Sequence, residues 1–262
     1  MRIPVLFALL AIGVAAPAAE RVAPRRTPPV AVLVKGEKRS ADVREAVERM
    51  FLGTNSLRNA GGRATLSRDP ALTAAAGAFA DFMAQTDRYG HEADGSNPSA
   101  RAGKAGYDAC IVAENIAYQS LSTGFSTDEL VQTFLDGWMD SPGHRANMLA
   151  PAVTELGVAI ARSASSGKYY GVQLFGRPRS QSVEIDVRNK ADVPLNYEFD
   201  GEAQSLPVRT TVRHLQCRPT TLVFHWPGKQ VATRLDAETQ RVYEVVRDGS
   251  GKFRVNLERA HQ

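Results

Sequence analysis

The spacing of apolar residues divides the chain into a helical stretch followed by a strand-rich one. From Ser40, the residues Val43, Val47, Met50 and Phe51 recur at helical intervals until Gly61-Gly62 closes the segment. Asp69 before Pro70 marks a second helix start, and Leu72, Ala75, Ala76, Phe79, Phe82 and Met83 continue at intervals of three and four. The many alanines here predict close packing on a neighbouring layer. Ser126 and Glu129 make an S-x-x-E capping box ahead of Leu130, Val131, Phe134, Leu135 and Trp138. Ser141-Pro142 restarts a short helix through Leu149, with Ser141 expected as its cap. Two strand-like runs, 154–161 and 169–175, flank a Ser/Gly-rich turn and predict a hairpin. Helices on a short antiparallel sheet make an α+β layered domain. Beyond Arg177 the period drops to two: Val183, Ile185, Val187; Leu195, Tyr197, Phe199; Phe253, Val255, Leu257. That pattern predicts a small all-β domain over about 181–260.

The amino terminus bears on compartment. Arg2 precedes a mostly apolar run from Ile3 to Val14, and Ala16-Pro17-Ala18 supplies small residues for cleavage, so residues 1–19 read as a signal peptide. The run is too short to cross a bilayer of about 30 Å, so no transmembrane span is expected in the mature chain. Residues 20–39, with Pro24, Pro28 and Pro29, read as a linker. The expected location is therefore secreted or periplasmic. The 262-residue chain has a formal charge of +4, and its basic residues are interspersed with acidic ones, which excludes a phosphate-tracking stripe and with it nucleic-acid binding. Its two cysteines, Cys110 and Cys217, lie one in each expected domain and in no C-x-x-C. In an exported chain they either form a bridge that ties the domains together or remain two separate buried thiols.

Three stretches carry the candidate chemistry: Tyr89-Gly90-His91, Ala113-Glu114-Asn115-Ile116-Ala117, and the run from Trp138 through Ser141-Pro142-Gly143-His144-Arg145-Ala146-Asn147 to Leu149. With the hairpin motifs Leu156-Gly157-Val158 and Tyr170-Gly171-Val172-Gln173-Leu174-Phe175-Gly176, their order resembles the CAP superfamily over about residues 40–178. That superfamily includes cysteine-rich secretory proteins, antigen 5 and pathogenesis-related proteins, and the likeness here is to its bacterial branch. The resemblance implies an α-β-α layered domain with a central cavity around His91, Glu114 and His144. Many eukaryotic members carry a second glutamate where this chain has Ser141, so the tetrad is incomplete.

Two imidazoles and a carboxylate are ligand types that zinc accepts, which makes His91 and His144 the candidate metal ligands and Ser141 a candidate cavity residue. A glutamate beside a histidine can instead fix its tautomer for proton transfer, or all three can form a buried polar network joining helices to sheet. Three functions follow. The first is an exported protein that binds a divalent metal, or a lipid, glycan or protein ligand, in the envelope or outside the cell. The second is a metal-assisted, peptidase-like hydrolase. The third is an interaction protein whose β domain does the binding. Other motifs fall away: Gly95 stands where H-E-x-x-H needs its second histidine, no G-x-S-x-G surrounds Ser141, and His214 and His225 lack spaced partners. Asn115, Arg145 and Asn147 read as hydrogen-bonding scaffold.

Overall fold

The computed structural model describes residues 39–259. The expected signal peptide, and the linker up to residue 38, lie outside the described residues. Helix α1 (Val43–Ala60) is capped by the Asp42 carboxylate on the Glu45 amide, and α2 (Pro70–Thr86) by Asp69 on the Leu72 amide. Helix α3 (Pro98–Lys104) begins with an Asn97 cap and Pro98 in its first turn. Helix α4 (Thr127–Asp140) has both halves of the capping box, Ser126 and Glu129. Helix α5 (Pro142–Met148) follows directly, but Ser141 makes no side-chain cap bond to it, contrary to expectation. Ser141 is also the residue that ends α4.

These helices cover both faces of a sheet ordered β1-β3-β4-β2, formed by β1 (Ser67–Arg68), β2 (Ala109–Gln119), β3 (Glu155–Arg162) and β4 (Tyr169–Pro178). The expected hairpin is β3–β4, antiparallel, and β2 adds antiparallel to β4. The sheet is mixed rather than wholly antiparallel, because the two-residue β1 runs parallel to β3. One core lies beneath α1 and α4 around Met50, Phe134, Trp138 and Phe175; the other lies beneath α2 around Leu72, Phe79, Met83 and Val172. A Cβ at Gly157 would clash with the Leu72 backbone, so the glycine is what lets α2 lie this close to β3. The alanines of α2 serve the same approach.

The remaining strands form two four-stranded sheets. One contains β5 (Val183–Asn189), β8 (Thr211–Gln216), β11 (Arg241–Arg247) and β12 (Phe253–Arg259). The other contains β6 (Leu195–Phe199), β7 (Glu202–Leu206), β9 (Thr221–His225) and β10 (Thr233–Asp236). Their inward residues share one apolar core, in which the Phe224 ring stacks on Tyr197 and Trp226, and Trp226 on Phe253. Leu257 departs from the expected alternation: it is exposed on the edge strand β12.

The described residues cluster as one compact unit. A Cys110–Cys217 disulfide, with Cα atoms 5.4 Å apart across 107 positions of sequence, ties the start of β2 to the loop after β8. Beside it the Arg179 amide donates to the Asp108 carbonyl at 2.8 Å. Among the described residues no helix is long and apolar enough to cross a membrane.

Candidate functional site

The site is organised by β2. Because strand residues alternate in direction, Val112, Glu114 and Ile116 belong to the α2–α3 face, and Ala113, Asn115 and Ala117 to the α1–α4 face. As β2 is an edge strand, its outer side is open to groups arriving from both faces. The 87–97 connection brings His91 to the Glu114 side, and α5 brings His144 to the Asn115 side.

Glu114 has a side chain only 1% exposed, and both of its oxygens are engaged. Oε1 lies 2.8 Å from His91 Nδ1, and Oε2 accepts from Arg101 Nη2 at 2.7 Å. Arg101, 6% exposed, is itself held at several points. Its Nη1 donates to Asp94 at 2.9 Å and to the Ser96 carbonyl at 2.6 Å, its Nη2 also donates to the His91 carbonyl at 2.9 Å, and the guanidinium lies 3.6 Å from the Phe79 ring centroid. A buried carboxylate persists only when its charge is paired and its lone pairs are satisfied, and Arg101 meets both needs. By pinning the His91 carbonyl as well, it fixes the backbone from which the imidazole projects.

On the other face Asn115 heads a chain of amides. Its Nδ2 donates to the His144 carbonyl and to Gln173 Oε1, both at 3.1 Å. Gln173 Nε2 donates to Thr54 at 2.8 Å, and Asn147 Nδ2 donates to Asn115 Oδ1 at 3.0 Å and to the Glu114 carbonyl at 3.2 Å. Asn115 and Asn147 are therefore the scaffold expected of them, locking α5 to β2. Arg145 instead donates to the Met139 carbonyl within its own helix pair. Phe134, Trp138 and Tyr170 are core residues.

His144 differs from His91. Its Nδ1 is buried without a hydrogen-bond partner, and its pKa is lowered, first by burial and then by the nearby charge of His91. The charge of His91 thus reaches His144. Ser141 makes no side-chain hydrogen bond to His91, Glu114 or His144 among the described residues. A cavity of about 540 Å³ between α2 and α3 is lined by Arg101 but by none of the four expected site residues.

The donor set decides what the site can hold. Among the described residues no group of three or more His, Cys, Asp and Glu side chains is arranged to hold a metal ion. Glu114 is buried with one oxygen on His91 and the other on Arg101, so it is not presented as a third ligand beside His91 and His144. His91 keeps Nε2 clear of Glu114 when Nδ1 serves it, and the Nδ1 of His144 is buried without a partner, so the two imidazoles are the donors left to a cation.

Arg101, the residue most firmly attached to Glu114, has no motif of its own. Asn97-Pro98 signals the start of its helix, but an arginine in a short Ala/Gly-rich helix gives no local sign of burial. Among the β-region histidines, His214 Nε2 lies 2.5 Å from the Tyr197 hydroxyl and His225 pairs with Glu198 at 2.9 Å. Both contacts are separate from the site.

The layered helices, the ordered motifs and the β2-edge constellation agree with a match of residues 53–175 to the family model of the cysteine-rich secretory protein family, CAP. Residues 53–175 thus match a CAP domain. Among solved structures, its fold is similar to an outer surface protein of Borrelia burgdorferi at 18% identity and a TM-score of 0.45, covering 51% of this chain and 93% of that one. An extracellular SCP-domain protein of Bacillus anthracis matches at 24% identity and a TM-score of 0.44, covering 52% of this chain and 41% of that one. A cysteine-rich secretory protein of Staphylococcus aureus matches at 20% identity and a TM-score of 0.40, covering 52% and 39% respectively. The chain thus spans about two fifths of the latter two. No curated protein matches at a significant level.

Proposed function

We propose that this is an exported CAP-domain protein in which His91 and His144 hold a divalent cation, zinc being the best suited, while Glu114 and Arg101 orient His91 from behind. The observation that carries this reading is the division of the Glu114 carboxylate, with Oε1 on His91 Nδ1 at 2.8 Å and Oε2 on Arg101 at 2.7 Å. A carboxylate on one ring nitrogen fixes the tautomer and directs the other nitrogen outward as a ligand. Two protein ligands leave open positions, at which the cation would engage water or an oxygen of a lipid, glycan or protein partner. The paired thiols of Cys110 and Cys217 and the signal-like amino terminus support export, since disulfides persist in oxidising compartments. The peptidase-like reading is less well supported, because a carboxylate committed to Arg101 and His91 is not free to act as general base.

Zinc titration of the purified protein by calorimetry at pH 7.5 tests the proposal. One zinc per chain is expected, with binding lost in His91→Ala and in His144→Ala, and affinity reduced about 10–100-fold in Glu114→Gln. No zinc uptake by the wild-type protein, or unchanged uptake in the two histidine variants, overturns it.

A further inference from the structure

A second site lies away from β2, where the 120–124 loop meets the β3–β4 turn. The cavity there has a volume of about 120 Å³ and is lined by Arg39, Ser120, Ser122, Arg162, Ser166 and Tyr169 together with Leu121 and two glycines. We propose that it binds a phosphate-class oxyanion, either free or carried on a larger molecule.

Three features support this. The Arg162 side chain makes no ion pair or hydrogen bond with another described residue, and its guanidinium lies 5.6 Å from the Tyr169 ring centroid. Arg39, the second cation, engages Glu129 through Nη1 alone and is fixed to the cavity wall by its amide, which donates to the Thr123 carbonyl at 3.0 Å. A side chain at Gly124 would clash with the Arg39 backbone, so this approach requires the glycine, whose φ is also positive at 70°. Tyr169 is only 2% exposed, yet its hydroxyl has no hydrogen-bond partner. A buried donor of this kind is costly until an acceptor arrives, and guanidinium forks are suited to tetrahedral oxyanions.

Two carboxylates lie nearby: Glu129 offsets part of the Arg39 charge, which leaves Arg162 as the unpaired cation, and Asp87 is occupied by its own donors. Asp87 accepts from the hydroxyls of Ser165, Ser166 and Tyr170 at 2.5, 2.6 and 2.9 Å and from Ser163 at 3.2 Å, so its charge is satisfied locally. Ser166 therefore gives its proton to Asp87, leaving Arg162, Arg39, Tyr169, Ser120 and Ser122 as donors for the anion. The cavity size suits the oxyanion alone, so any larger body to which it is attached must extend into solvent.

The test is calorimetric titration of the full chain with inorganic phosphate, against chloride at matched ionic strength, using wild type, Arg162→Gln and Tyr169→Phe. Phosphate-specific binding is expected. It should weaken about tenfold or more in Arg162→Gln and a few-fold in Tyr169→Phe, as expected for losing a charge-assisted and a neutral hydrogen bond. Arg162 is exposed, and the Tyr169 change removes only an unpartnered hydroxyl, so both variants should fold. Co-sedimentation with phosphatidic acid vesicles, but not with phosphatidylcholine vesicles, identifies a lipid headgroup as the source. Phosphate binding without co-sedimentation identifies a soluble anion. Equal responses to phosphate and chloride, or unchanged phosphate affinity in Arg162→Gln, overturn the proposal.

Discussion

The CAP domain and the β region are stabilised in different ways. The β region is built around stacked rings, Tyr197, Phe224, Trp226 and Phe253, and its ion pairs lie largely at the surface. The CAP domain instead buries Arg58, Arg101, Glu114, Asn115 and Gln173. Replacing such a network by apolar side chains is often neutral or stabilising, so cohesion alone does not require it. In the CAP domain the network ends on His91 and His144; in the β region no buried charge leads to a comparable pair. The contrast points to the polar interior of the CAP domain as support for a site.

Cutting the covalent tie between the regions should have the largest effect. Replacing Cys110 and Cys217 by serine should cost up to about 4–5 kcal/mol by chain entropy for a loop of 107 residues. Urea denaturation, with and without reductant, checks this. The wild type in reductant should approach the variant, whereas identical midpoints in all samples would mean that the bridge contributes little.

Within the CAP domain, Glu114→Ala should cost about 3–5 kcal/mol by leaving the Arg101 charge buried and unpaired. In the β region, Leu222→Ala should cost about 2–5 kcal/mol through the cavity it leaves. Equilibrium unfolding measures both, and the paired change Arg101→Met with Glu114→Leu separates the causes. The double variant should recover most of the stability lost in Glu114→Ala but not the zinc affinity. Recovery of both would show that the ion pair does not serve the site.

A pH effect should be smaller and shared by the two regions. Burial lowers the pKa of both His144 and His214 below the ordinary value. In the unfolded chain these groups titrate near about 6.5. As pH falls below that, the unfolded state takes up protons before the folded state does, so stability is complete above this value and is lost as pH falls through the depressed folded values. Metal-free protein should therefore lose stability on acidification from neutral pH, and His214→Gln should flatten the slope in part. A slope identical to wild type would remove His214 from the account. Smallest of all should be Glu198→Ala, which breaks a surface pair with His225 whose side chains are 39% and 49% exposed; a change within about 1 kcal/mol is expected by thermal denaturation.

Much of this architecture is legible where local rules and packing agree. The capping box at Ser126 and Glu129, the Asp69-Pro70 start and the β3–β4 hairpin follow from spacing, because each satisfies its own backbone and faces a core. Strand β2 was not legible as a strand: Glu114 and Asn115 are polar on both faces, and an edge strand with a buried ion pair on one side and an amide chain on the other breaks the hydrophobic alternation. Arg101 stayed hidden because its burial depends on a partner elsewhere in sequence. Ser141-Pro142 misled about the cap: the serine also ends α4, and its hydroxyl makes no bond to α5. The cysteines allowed both a bridge and separate thiols, and only their position in space decides for the bridge.

In the proposed site Glu114 sets the tautomer of His91 so that Nε2 faces outward for a cation shared with His144. Long-range ¹⁵N–¹H correlation spectra of the histidine rings test it most directly, in metal-free protein and again after adding zinc. His91 should carry its proton on Nδ1 without metal, and zinc should shift both His91 Nε2 and one ring nitrogen of His144. A proton on His91 Nε2 in the metal-free protein, or no response of either ring to zinc, would contradict it.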